Sequence, residues 1–289
     1  MIKKAIVGIS SLILTKEEIE LLKKHQPFGV ILFKRNCQDE EQLINLTSSI
    51  KSIIPHTKIL IDQEGGRVAR LKAPNFLEFP AANTLTTEEQ VYDNYFTMGK
   101  YLRKFDIDIN CAPVADLFFP FADKIIGDRS FGNDIQKVIK FASSTAKGLT
   151  DAGIIPIMKH IPGHGRALAD SHLELPIIDT DLATLEATDF AVFKALSNIP
   201  MAMTAHVVYN ALDPKLPATI SKRAIKYIRE EIGFKNMLIS DDINMKALQG
   251  DLTSLTHQVF DAGCDIVLHC SGIFKEMEEV LEASPQIQA

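Results

Sequence analysis

Residues 28–62, FGVILFKRNCQDEEQLINLTSSIKSIIPHTKILID, hold two short apolar runs, 28–33 and 58–62, on either side of a segment at 38–53 with apolar residues at helical spacing (Leu43, Leu46, Ile50, Ile53). The runs are rich in branched and aromatic side chains, as buried strands are, and the helix between them completes a parallel strand–helix–strand unit. Asp39 stands where its carboxylate can accept the orphan N–H groups of that helix. A single unit of this kind fits an open doubly wound sheet as well as a closed barrel. The number of repeats separates the two.

Working outward, the pattern recurs along the whole chain. Strands are expected at 3–9, 28–33, 58–62, 107–112, 154–159, 201–206, 236–240 and 265–269. Helices are expected after each, at 16–25, 38–53, 86–104, 134–152, 181–198, 221–233, 252–262 and 271–284. Thr86, Asp134, Asp181 and Ser221 stand at or near helix starts, and Gly153 and Gly233 where helices should stop. Eight such pairs without a Pro/Gly/Ser-rich linker predict one (β/α)8 TIM-type barrel, a single catalytic domain over 1–289, with the doubly wound sheet as the alternative. In a barrel, chemistry sits on the loops that leave the carboxyl ends of the strands.

Composition agrees with a large packed core. A chain of 289 residues at 32.1 kDa buries about three quarters of its unfolded surface. With 46% hydrophobic and 24% charged residues and a net charge of -6, it is neither a disordered chain nor a basic nucleic-acid binder. No apolar run is long enough for a membrane-spanning helix. Cys37, Cys111, Cys264 and Cys270 are scattered without C-x-x-C or zinc spacing and read as reduced thiols, so neither metal nor cofactor is expected. Lys3 and Lys4 before the apolar run 5–14 have the look of a signal peptide, yet no small-residue cleavage site follows. Thr15 instead leads into the acidic helix start Lys16-Glu17-Glu18, so a buried first strand and a cytoplasmic protein are expected.

The polar residues gather at the predicted strand ends. Strand 3 runs into Asp62-Gln63-Glu64-Gly65-Gly66-Arg67-Val68, with Arg70 close behind; carboxylates there can accept paired hydrogen bonds from sugar hydroxyls, and an arginine can hold a carboxylate. Strand 4 leads to Pro113-Val114-Ala115-Asp116-Leu117 and then Gly127-Asp128-Arg129-Ser130-Phe131-Gly132, which alone say little. Strand 5 leads to Lys159-His160-Ile161-Pro162-Gly163-His164-Gly165 and Asp170-Ser171-His172. Proline and glycine keep that loop from being helical, so it passes over the mouth and suits a lid or a delivered catalytic group. His206 follows strand 6. Ser240-Asp241-Asp242-Ile243-Asn244-Met245 follows strand 7, where Asp241 emerges from the core in a nucleophile's position and Asp242 fits better as a turn cap. His269, ending strand 8, is either a mouth or a core residue.

Five of these stretches together, in order, resemble the bacterial β-N-acetylglucosaminidases of glycoside hydrolase family 3: Gly29 to Asn36, Ile-Asp-Gln-Glu-Gly-Gly-Arg-Val, Lys-His-Ile-Pro-Gly-His-Gly, Asp-Ser-His and Ser-Asp-Asp-Ile-Asn-Met. The resemblance implies Asp241 as nucleophile, His172 paired with Asp170 as general acid/base, and Asp62, Arg70, Arg129, Lys159 and His160 as substrate contacts. It further implies removal of terminal β-linked N-acetylglucosamine from cell-wall fragments, notably those ending in anhydro-N-acetylmuramic acid, during peptidoglycan recycling in the cytoplasm. The expected partner is a small carbohydrate or muropeptide, with no nucleic acid and no membrane, and the chain is expected to be monomeric. Larger members often draw a glutamate acid/base from a second domain, for which 289 residues leave no room, so the proton is expected from the barrel. Arg166-Ala167-Leu168-Ala169 departs from the Asp-Thr that commonly follows His-Gly in the family.

The implied roles are chemically coherent. A retaining glycosidase needs a carboxylate beneath the anomeric carbon and a proton donor at the glycosidic oxygen. An imidazole, with a pKa near 6.5, can donate and later accept that proton near neutral pH while an aspartate fixes its tautomer. Other chemistries fit some of the same residues. Lys159 could serve as a Schiff-base amine. His160, His164, His206 and Asp241 could hold zinc, although Gly8-Ile9-Ser10 at the end of strand 1 lacks the paired histidines of such barrels. The mouth could bind a sugar without turnover, or phosphate could replace water in resolving the intermediate.

Overall fold

A computed structural model of the chain describes residues 1–171 and 174–287. Eight parallel strands close into a barrel: β1 (Lys3–Gly8), β2 (Pro27–Leu32), β3 (Lys58–Ile61), β4 (Ile109–Asn110), β5 (Ile155–Ile161), β6 (Met201–Thr204), β7 (Met237–Asp242) and β8 (Ile266–His269). Each pairs with its sequence neighbour, and β1 pairs with β8 to seal the cylinder. The open sheet is thereby excluded. Side chains alternate as a closed sheet requires: Ile6, Ile31, Leu60, Ile109, Ile157 and Ile239 fill the interior, while Val7, Val30, Ile61 and Leu238 pack outward against the helices. Gly29 is needed where strands crowd, since a Cβ there would stand 2.5 Å from the Leu60 side chain.

Around the barrel run α1 (Lys16–His25), α2 (Glu40–Ile53), α3 (Glu88–Arg103), α4 (Ile135–Asp151), α5 (Leu182–Ala187), α6 (Asp189–Ala195), α7 (Lys222–Glu230), α8 (Leu252–Ala262) and α9 (Phe274–Ala283). Asp39, Asp134, Asp181 and Ser221 cap their helices as read, whereas Thr87 and not Thr86 caps α3. Thr15 and Glu18 form a reciprocal capping box that ends the first strand–loop segment.

Two elements differ from the sequence reading. Strand 4, expected over 107–112, shortens to two residues, because the Ile107 N–H turns to Leu102 of α3 and Pro113 has no N–H to give the ladder. The single helix expected at 181–198 breaks at Thr188, where φ is -126° and ψ -92°. The break lets Thr188 and the buried Asp189 face the loop after β5, where Arg166 donates to Asp189 Oδ2 at 2.6 Å and to Thr188 Oγ1 at 3.0 Å. Among the described residues no helix is long and apolar enough to cross a membrane.

Candidate active site

The end of β3 and the end of β5 meet in a chain of alternating charge. Lys159 Nζ, on a side chain 2% exposed, lies 2.6 Å from Asp62 Oδ1 and 2.6 Å from Glu64 Oε1. Asp62 Oδ2 also accepts from Arg70 Nη2 at 2.6 Å, and Glu64 takes a bidentate pair from Arg129 Nε and Nη2, both at 2.8 Å. Burial pushes the Asp62 carboxyl up, but Lys159 and Arg70 outweigh it and hold the group well below the usual carboxylate range. Burial pushes the Lys159 ammonium down, and Asp62 and Glu64 override it upward. An ammonium held so firmly protonated is no Schiff-base nucleophile, which removes that reading of Lys159. Arg70 stacks on Phe33 at 5.1 Å, and its Nε has no hydrogen-bond partner among the described residues.

The second assembly is rooted on Asp116, fully buried after β4. Its carboxylate accepts from His160 N at 3.2 Å, from His164 N at 2.6 Å and lies 2.7 Å from His160 Nδ1. Burial would raise Asp116, yet the two histidines bring it below its ordinary value, so it is a carboxylate and His160 Nδ1 carries a hydrogen. His160 Nε2 is then the ring atom left for a ligand. His164 packs edge-on against His160 at 5.6 Å and meets Ser171 Oγ at 3.2 Å. Burial and His160 push the His164 pKa down to about 4, leaving a neutral imidazole.

The third part is the end of β7. Asp241 lies in the mouth, its Oδ1 accepting the Asp242 N–H at 2.8 Å. Burial would raise its carboxyl, but His206, His160 and Lys159 bring it below its ordinary value. Asp242 goes the other way: burial and Asp241 push it up to about 6. Its Oδ1 accepts from Asn244 N and Cys270 N, both at 3.1 Å, so it caps as expected while also lining the cavity. His206 Nε2 donates to the Asp242 carbonyl at 2.9 Å and Nδ1 meets Thr219 Oγ1 at 2.7 Å. His206 spends both ring nitrogens on oxygens, so it does not complete a zinc set with His160, His164 and Asp241. Among the described residues no group of three or more acidic, histidine or cysteine side chains could hold a metal ion. His269 is fully buried against Glu276, at 3.1 Å, and does not line the cavity.

One cavity therefore joins Asp62, Arg70, Arg129, Lys159, His160 and Asp241, with His164, Ser171 and Asp242 beside them. Asp170 stands half-buried on the loop after β5, outside the residues lining that cavity, and His172 lies outside the described residues. Arg129 lines the cavity, but its Nε and Nη2 are spent on Glu64 and its Nη1 on the Ile125 carbonyl at 3.1 Å. From sequence, Glu64 and Asp116 stand in their strand-end motifs without a role of their own, and His164 enters only with the zinc alternative. Glu64 stands two residues from Asp62, on the same side of an extended chain, which is a usable signal. Asp116 had only its place after a strand.

Carboxylates, fixed cations and imidazoles in the carboxyl-end mouth of a closed (β/α)8 barrel define an enzyme that works on a polar substrate. The family of the Glycosyl hydrolase family 3 N terminal domain matches residues 5–287, and the chain belongs to it: it is a glycoside hydrolase. A Beta-hexosaminidase of Vibrio cholerae serotype O1 is 37% identical over 269 residues, covering 89% of this chain and 79% of its own. That of Alkalilimnicola ehrlichii is 38% identical over 280 residues, 92% of this chain and 80% of its own. Among solved structures, NagZ from Neisseria gonorrhoeae superposes with a TM-score of 0.90 at 35% identity, over 99% of this chain and 86% of that one. A family 3 β-N-acetylglucosaminidase from a Paenibacillus strain gives 0.91 at 28% identity, over 97% of this chain, which spans 56% of that longer protein.

Proposed function

We propose that the chain is a retaining exo-β-N-acetylglucosaminidase that removes terminal β-linked N-acetylglucosamine from peptidoglycan fragments, in particular GlcNAc–anhydro-N-acetylmuramic acid and its peptides. It acts in the cytoplasm, as one catalytic barrel domain over 1–289. The observation that carries the reading is Asp241, ionised at the end of β7 and facing the same cavity as the Asp62–Lys159 pair. The name of the Paenibacillus protein, a β-N-acetylglucosaminidase, supports the acetylated sugar as glycone.

Asp241 attacks the anomeric carbon as the bond to the aglycone oxygen breaks, and His172 delivers the proton that oxygen needs. Water then attacks the anomeric carbon of the glycosyl-aspartate, His172 takes its proton, and Asp241 leaves as carboxylate. Asp170 orients the imidazole. Asp62, Lys159, Arg70, Arg129 and His160 form the wall that faces the glycone: Asp62 accepts, His160 presents Nε2, and Arg129 holds Glu64 in place behind Lys159. Because each cation of the wall is already engaged by Asp62 or Glu64, the wall suits an uncharged sugar.

The test is release of 4-nitrophenol from its β-N-acetylglucosaminide and its β-glucoside by wild type and Asp241→Asn in phosphate-free buffer. Activity on the acetylated sugar alone, lost in Asp241→Asn, is expected. Turnover of the glucoside in preference, or an active Asp241→Asn, overturns the reading.

A further inference from the structure

We infer that His164 and Ser171 are positioning residues for the general acid/base: their hydrogen bond fixes the chain one peptide bond before His172. The inference rests on the acid/base role given to His172 above.

His164 is itself anchored at its backbone and packed at its ring. It is 3% exposed, its N–H donates to the buried Asp116 carboxylate at 2.6 Å, and its ring lies against His160. Beside it, Gly165 presses on the chain after β4 so closely that a Cβ would stand 1.8 Å from the Leu117 carbonyl oxygen, so the turn has one place to be. From this anchor Nε2 reaches Ser171 Oγ at 3.2 Å. Ser171, also 3% exposed, is held from the other side as well: its carbonyl accepts the N–H of Ala247, on the loop that follows Asp241, at 3.2 Å. Ser171 is thus tied both to the imidazole wall of the glycone cavity and to the loop downstream of the nucleophile. A group that must meet the glycosidic oxygen while Asp241 meets the anomeric carbon needs this kind of common reference, because a misplacement of about 1 Å costs on the order of a hundredfold in rate.

The chemistry of the tether suits the task. Burial and His160 push His164 down to about 4, against Asp116, which pulls it up, and Arg129, which adds to the lowering. The imidazole holding Ser171 therefore stays neutral over the range in which a catalytic histidine gains and loses its proton. The bond that holds Ser171 does not titrate with a catalytic histidine.

The experiment compares kcat/KM across a series of aryl β-N-acetylglucosaminides, from 2,4-dinitrophenyl to 4-methylphenyl, for wild type, Ser171→Ala, Ser171→Thr and His172→Ala. Ser171→Ala is expected to lose about tenfold or more on the poorest leaving group and little on the best, a weaker copy of His172→Ala, with Ser171→Thr near wild type. An equal loss across the series, or none, overturns the positioning role. A flat series for His172→Ala instead overturns the acid role itself, so the two failures are distinct. Should Ser171→Ala not fold, the same series run on Ser171→Thr and Ser171→Cys compares a hydroxyl with a thiol on the same backbone. Indistinguishable slopes there also overturn the proposal.

Discussion

Lys159 Nζ lies 2.6 Å from Asp62 Oδ1 beneath the mouth of the barrel, a contact that joins the end of β5 to the end of β3 across a sequence separation of 97. It fixes the charge of both partners. Asp62 is left an acceptor and Lys159 a donor under all ordinary conditions, so the wall needs no rearrangement when a hydroxyl arrives.

Replacing Lys159 by Met removes the cation that Asp62 and Glu64 share and leaves Glu64, 4% exposed, to Arg129 alone. Breaking a buried pair from one side costs about 3–5 kcal/mol. Lys159→Met is expected to unfold at lower denaturant by that order and to lose activity; urea titration at pH 7 checks it, and an unchanged midpoint would contradict the network.

Asp242 runs the other way with pH. Its folded value of about 6 lies above the ordinary carboxyl value, so its contribution to stability is complete only in acid and is lost as pH rises through about 6. Ionised at pH 7, it costs the fold about 1–3 kcal/mol. Asp242→Asn keeps an oxygen for the Asn244 and Cys270 N–H groups and carries no charge. The variant is expected to be more stable than wild type at pH 7, with the difference fading toward pH 4; denaturation at a series of pH values reads it directly, and a constant difference would refute the assignment.

Much of this was legible in the sequence. Short continuous apolar runs and capped helical segments marked every barrel strand, because a strand buried on both faces admits few other side chains. The strand-end motifs put Asp62, Lys159, His160 and Asp241 in one mouth, since the barrel gathers all its strand ends on one rim. What stayed hidden depends on pairing across the chain. Nothing local tells that Asp116 reaches 44 residues ahead to His160, or that Thr188 breaks a helix so that Asp189 can meet Arg166. Asp242 looked like a cap, and is one, but its titration comes from burial that spacing cannot report.

The proposed acid/base dyad predicts a leaving-group signature. Asp241→Asn should abolish turnover of every glycoside. His172→Ala should spare aryl glycosides whose leaving group needs no proton while losing about a hundredfold or more on a disaccharide. Asp170→Ala should show the same pattern more mildly and shift the pH profile of kcat/KM. Equal losses on both substrates in His172→Ala, or an unmoved profile in Asp170→Ala, would count against the dyad.

Asp116 offers the sharpest separation of placement from folding. Its two carboxylate oxygens, on a fully buried side chain, accept from His160 N, His160 Nδ1 and His164 N. Asn is nearly the same shape, yet one of its two ends donates. In Asp116→Asn one oxygen becomes an N–H: turned toward His164 it faces that residue's backbone N–H, and turned toward His160 Nδ1 it is satisfied only if the ring moves its hydrogen to Nε2. The His160 ring also loses the partner that keeps its hydrogen on Nδ1. The variant is expected to stay folded at 25 °C with its stability lowered by about 1–3 kcal/mol, and to lose far more in kcat/KM than that drop alone would bring about. Thermal unfolding and steady-state kinetics on the same preparation decide it: a variant that loses stability but keeps its kcat/KM would show that the Asp116 assembly holds the loop together without setting the chemistry.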